Sequence, residues 1–94
     1  MKVTPDIIRY EFIGTAAHVA QSTHLGYLGL SGRVIGETKN TFTLDSEDDK
    51  PKSIIKGSSV FNFTFNDGTT VEIDGKLLIG RPEDRLKKSI KRLW

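Results

Sequence analysis

At 94 residues, 36% hydrophobic and 28% charged, with nine Gly and three Pro, the chain has the makeup of one small folded domain rather than a disordered segment. Such a domain holds a small core and little space for a deep substrate cleft, so a self-sufficient enzyme is a poor first expectation. Zero Cys excludes disulfides, thiol chemistry and Cys-ligated zinc within the chain. The net charge of +2 divides unevenly: residues 81–94 carry six basic against two acidic side chains, or +4, and residues 1–80 carry −2.

In chain order, Thr4-Pro5-Asp6 reads as a helix start: Thr4 as cap, Pro5 at the first helical position, Asp6 at the positive end of the dipole. Ile7, Ile8 and Phe12 give residues 4–14 one apolar face, and Gly14 can end the helix in a left-handed conformation. A helix this short does not persist alone and must dock, on the body of the domain or on a partner. No apolar run in the sequence has the length of a membrane span, and none at the N-terminus has that of a signal peptide, so a cytoplasmic protein is expected.

Residues 15–80 have a β pattern. Strands are predicted at 15–21, 30–37, 41–45, 53–56, 59–66, 69–74 and 76–79, separated by Gly and Asx turns, the signature of a small antiparallel barrel or sandwich. Two hairpins can be registered. A three-residue Asn66-Asp67-Gly68 loop pairs Phe63 with Val71 and Phe61 with Ile73, whereas a two-residue loop sets acids against the aromatic face. By the same reasoning a three-residue Thr38-Lys39-Asn40 loop pairs Val34 with Leu44 and Gly36 with Phe42, avoiding Glu37 against Phe42. After Gly80 the period changes to helical. Pro82 opens a basic amphipathic helix over 81–94, with Glu83 and Asp84 in its first turn and Leu86, Ile90 and Leu93 or Trp94 on one face.

No catalytic constellation emerges. His18 and His24 are the only imidazoles, and no motif supplies converging co-ligands. Glu47, Asp48 and Asp49 are adjacent rather than alternating, which suits a solvated loop tip better than a cation loop. Phe61, Phe63 and Phe65 share one strand face and read as core, with a base-stacking platform as the second reading. The basic C-terminus suits phosphate neutralisation, and it equally suits an ordinary solvated helix face. Lys50, Lys52, Lys56 and Lys76 could extend a basic surface over the body of the domain.

These residues carry a resemblance. Gly29-Leu30-Ser31-Gly32-Arg33-Val34-Ile35 followed by Glu37-Thr38-Lys39-Asn40-Thr41 resembles the archaeal ribonuclease P protein component 1 family, related to the twenty-nine-kilodalton subunit of eukaryotic ribonuclease P. Glu11-Phe12-Ile13-Gly14, Val71-Glu72-Ile73-Asp74-Gly75 and Gly80-Arg81-Pro82-Glu83-Asp84-Arg85 extend it in order, over about residues 7–92.

The resemblance implies a mainly β fold: a small six-stranded antiparallel Sm-like barrel over 15–80, with short α-helices at both ends, in a single domain spanning 1–94. It implies a non-catalytic, RNA-binding subunit of the ribonucleoprotein that removes the 5′ leader from precursor tRNA. The RNA would hold the Mg ions and the chain no cofactor; its partners would be ribonuclease P RNA, a zinc-ribbon protein subunit acting with it on the specificity domain, and other ribonuclease P proteins. The RNA-facing residues would be Lys39, Lys52, Lys56, Lys76, Arg81, Arg85, Lys87, Lys88, Lys91 and Arg92, and the partner-facing residues Ile7, Ile8 and Phe12. The competing expectation is a protein-interaction adaptor with an Sm- or SH3-like barrel and no direct role in RNA binding.

Overall fold

A computed structural model describes residues 3–46 and 50–85. Six strands, β1 (Ala16–Ser22), β2 (Ser31–Glu37), β3 (Thr41–Asp45), β4 (Lys52–Ile55), β5 (Ser59–Thr64) and β6 (Thr70–Asp74), form one antiparallel sheet in the order β4-β3-β2-β1-β5-β6. The alternation of buried and exposed positions along each strand follows the period-two pattern of the sequence, and the inward residues join in a single core. Among the described residues no helix is long and apolar enough to cross a membrane.

The sheet is strongly curled. Phe42 on β3 and Phe61 on β5 are separated by two intervening strands, which in a flat sheet would put them about 14 Å apart. Their ring centroids lie 5.4 Å apart. The expected closed barrel is nevertheless not formed: among the described residues no ladder joins β4 to β6, and both are edges. At that seam the backbone is diverted into two 3-10 turns, Lys56–Ser58 and Gly75–Leu78, which pack against each other. Gly75 makes the approach possible, since a Cβ there would stand 2.0 Å from the Lys56 carbonyl oxygen. The second of these turns replaces the strand predicted at 76–79; the Asp74 carboxylate accepts from the Lys76 N–H at 3.0 Å and bends the chain.

The two registered hairpins fare differently. In β5–β6, Phe63 pairs with Val71 and Phe61 with Ile73, as the three-residue loop requires, with Gly68 at φ +86°. A Cβ at Gly68 would meet nothing within 4 Å, so only the backbone opposes a side chain there. Gly68→Ala is expected to lower stability by about 1–2 kcal/mol, read from the urea midpoint; no change would mean that the turn relaxes to another type.

In β2–β3, Val34 does pair with Leu44, but the register then shifts, and Gly36 faces Thr43 while Glu37 faces Phe42. This is the pairing that hydrophobic reasoning rejects, and it arises because a bulge follows Val34. An acid is tolerated beside the ring because two buried cations meet it there.

The N-terminal helix also differs from expectation. Pro5–Arg9 is a 3-10 helix, and the Thr4 side chain makes no capping bond. The Ile8 and Tyr10 carbonyls, which a continuing α-helix would need, accept from Arg85 at 2.7 and 3.2 Å instead. The Gly14 N–H donates to the Val34 carbonyl at 2.7 Å, which starts the run into β1. At the other end α1 (Pro82–Arg85) opens at Pro82 with Glu83 and Asp84 in its first turn; the remainder of the predicted helix, 86–94, lies outside the described residues.

Candidate nucleic-acid interface

The chain brings three distant segments to one end of the sheet. Glu37 ends β2 and Thr38 to Asn40 turn into β3, Lys56 opens the turn after β4, and Gly80 precedes α1, which Arg85 ends. At their centre is a buried ion cluster. The Glu37 side chain is 1% exposed, and those of Lys56 and Arg85 are 0% exposed. Lys56 Nζ donates to Glu37 Oε2 at 2.6 Å, and Arg85 Nη1 donates to the same oxygen. Arg85 Nη2 reaches Glu37 Oε1 at 3.3 Å, which completes a two-pronged grip on the carboxylate.

The remaining donors are spent on main-chain carbonyls. Lys56 Nζ donates to Thr38 O at 2.8 Å, Gly80 O at 3.0 Å and Lys39 O at 3.3 Å. Arg85 donates to Ile8 O, Tyr10 O, Leu78 O and Gly80 O. Both cations also lie over core rings, Lys56 Nζ at 4.6 Å from the Phe42 centroid and Arg85 Cζ at 5.7 Å from that of Phe12. Among the described residues no buried side-chain nitrogen or oxygen lacks a partner. The cluster therefore ties the N-terminal 3-10 helix, the β2–β3 turn, both seam turns and α1 into one unit.

This placement corrects two of the proposed RNA-facing residues. Lys56 and Arg85 are sealed inside the fold, with their nitrogens committed to Glu37 and to carbonyls, and cannot reach a phosphate as placed. Lys39, Lys76 and Arg81 are exposed, and the Gly80 N–H, which donates to Lys39 O at 2.7 Å, joins the two segments that carry Lys39 and Arg81. Lys76 belongs to the seam turn Gly75–Leu78 and lines a shallow depression with Gly57, Ser58 and Asp74. Lys52 is half-buried at the far end of β4, opposite Leu44, and does not join the others. Lys87, Lys88, Lys91 and Arg92 lie outside the described residues, as does the acidic run 47–49.

Ile7, Ile8 and Phe12 are core residues, 7%, 0% and 0% exposed, so their face docks on the domain itself and is not available to a partner. Among the described residues, apolar side chains left outside on the N-terminal segment and the strand beside it include Val3, Tyr10, Ile13 and Ile35. The phenylalanine stripe is core as well: Phe61, Phe63 and Phe65 are buried, which removes the stacking-platform reading. His18 and His24 are exposed, the former bonded through Nδ1 to Ser31 Oγ at 2.6 Å, the latter stacked on Tyr27 at 4.1 Å.

Glu37, the centre of the cluster, is a residue to which the sequence alone assigns no role. The available signal is the hairpin itself. An acid that closes a strand and faces an aromatic in one candidate register demands a buried cation, and both Lys56 and Arg85 are present to supply it.

Comparison with known proteins places these residues in context. The family model for ribonuclease P/MRP, subunit p29, matches residues 5–88. Ribonuclease P protein component 1 of Methanothermobacter thermautotrophicus is 42% identical over 91 residues, covering 96% of this chain and 98% of its own. The protein of the same name from Methanococcus maripaludis is 44% identical over 94 residues, covering 98% of each chain. The solved structure of Mth11, a homologue of human RNase P protein Rpp29, superposes with a TM-score of 0.61 at 42% identity, covering 81% of this chain and 97% of that one.

Proposed function

This chain belongs to the ribonuclease P/MRP subunit p29 family, and on that premise we propose that it is an RNA-binding protein subunit of ribonuclease P, acting in the removal of the 5′ leader from precursor tRNA. The observation that carries the reading is the family match, which spans most of the chain and is joined by relatives named as ribonuclease P protein component 1 over nearly their whole length. Its partners are then ribonuclease P RNA and other ribonuclease P proteins. In this reading the RNA performs the cleavage with Mg ions that it holds, and the chain supports the RNA's specificity domain together with a zinc-ribbon protein subunit.

Physical support comes from both kinds of surface. Lys39, Lys76 and Arg81 are exposed cations, and the segment 81–94 carries +4. Ile13 and Ile35, each 47% exposed, offer an apolar patch for a protein partner, since the Gly14 N–H bond to Val34 O brings their segments together.

The test is the salt dependence of RNA binding. Lys87, Lys88, Lys91 and Arg92 changed together to Ala are expected to weaken binding to ribonuclease P RNA and to flatten the slope of log affinity against log salt. The decrement is about 0.7–0.9 for each phosphate no longer neutralised, by analogy with nucleic acids of single and double strand. An unchanged slope places the RNA-binding surface elsewhere. Failure of ribonuclease P RNA to co-purify with the chain, when proteins do, would favour the adaptor reading.

A further inference from the structure

The buried lysine has a consequence for the surface above it. Lys56 Nζ cross-links Thr38 and Lys39 in the β2–β3 turn to Gly80 before α1, and the Gly80 N–H returns a bond to Lys39 O at 2.7 Å. Each of the two segments carries an exposed cation next to this lock, Lys39 on one and Arg81 on the other. Arg81 also precedes Pro82, which restricts its backbone to extended conformations.

We propose that Lys56 is a positioning residue that builds Lys39 and Arg81 into one phosphate-binding rim, through which this end of the domain grips an RNA backbone. The inference deepens the RNA-binding reading above and rests on it for the identity of the polyanion.

A lysine is a costly way to fill this site. Its ammonium lies over the Phe42 ring, 4.6 Å from the centroid, where an apolar side chain of similar length would place no charge to desolvate. What the ammonium adds is its three protons, aimed at the Glu37 carboxylate and at carbonyls of two separate segments. Such a centre specifies how the turn and the α1 approach sit against each other. Arg9 adds a cation, and Glu11, Glu37 and Glu83 three carboxylates, to the depression beside Arg81. A lone phosphate therefore gains little at Arg81 alone, and the rim favours a chain of phosphates that spans to Lys39.

The experiment uses the full chain with two probes, inorganic tripolyphosphate and a ribonuclease P RNA transcript from the source cell. In the unmodified protein, tripolyphosphate is expected to shift the amide signals of Lys39 and Arg81 with one common midpoint. In Lys56→Met, which keeps the Glu37–Arg85 pair and the stem, that binding is expected to weaken at least about tenfold, or to split into two midpoints.

With the RNA, Lys39→Ala/Arg81→Ala should flatten the salt slope by about 1.4–1.8, the decrement for two phosphates. Lys56→Met should reproduce that decrement, and the triple variant should add nothing to it. A folded Lys56→Met with the full slope overturns the proposal, as does an additive triple variant. If Lys56→Met does not fold, the midpoints in the unmodified protein decide: separate midpoints, or no shift at Lys39 and Arg81, overturn it. RNA binding without those shifts would sink the rim and leave the RNA-binding reading standing. Tripolyphosphate binding at a common midpoint without RNA binding would sustain the rim and sink that reading.

Discussion

Glu37→Ala is expected to destabilise the folded chain by about 3–5 kcal/mol, a large part of the stability of a domain this size. The variant removes the carboxylate that Lys56 and Arg85 share, while both cations stay fully buried among main-chain carbonyls. The penalty is the desolvation of charge that has lost its counter-ion rather than the worth of any single bond. Urea unfolding followed by circular dichroism measures it. Glu72→Ala, on the exposed face of β6, serves as the comparison and should stay within about 0.5 kcal/mol of the parent. A loss of less than about 1 kcal/mol at Glu37 would mean that solvent reaches the cluster and screens it.

Phe12→Ala is expected to cost about 3–5 kcal/mol as well, for a different reason. Its ring is fully buried, stacked 4.3 Å from Phe63 and edge-on to Phe42 at 6.1 Å. Deleting it opens a cavity where the N-terminal segment meets the sheet. The amides of residues 7–15 should then exchange faster than those of β3 and β5, so local loosening accompanies the global loss. The same variant separates the two roles considered for this face. A partner-facing Phe12 would leave the isolated chain nearly as stable as before and weaken only the complex.

Much of the β architecture was legible in sequence because its determinants are local. Alternation of apolar side chains located all six observed strands, and the Asn66-Asp67-Gly68 loop fixed the β5–β6 register because only that length keeps Phe61 and Phe63 against Ile73 and Val71. The α1 start at Pro82 was legible on the same grounds, a proline followed by two acids. What escaped were places where distant segments compete for one local stretch. The N-terminal helix stops after a 3-10 turn because Arg85, far along the chain, takes the carbonyls that would extend it. The predicted strand at 76–79 becomes a turn because Gly75 must pass within touching distance of the Lys56 backbone.

The candidate interface divides along the same line. Its charge asymmetry is a property of the sequence, +4 over 81–94 against −2 over the rest, and no folding is needed to count it. Which cations face solvent is not. Lys39 and Arg81 remain outside, whereas Lys56 and Arg85, identical to them in type, are drawn inward by one carboxylate. A charge in sequence carries no direction. It acquires one when the β2 bulge turns Glu37 into the core and the cost of burying that acid is met by the cations that three-dimensional proximity supplies.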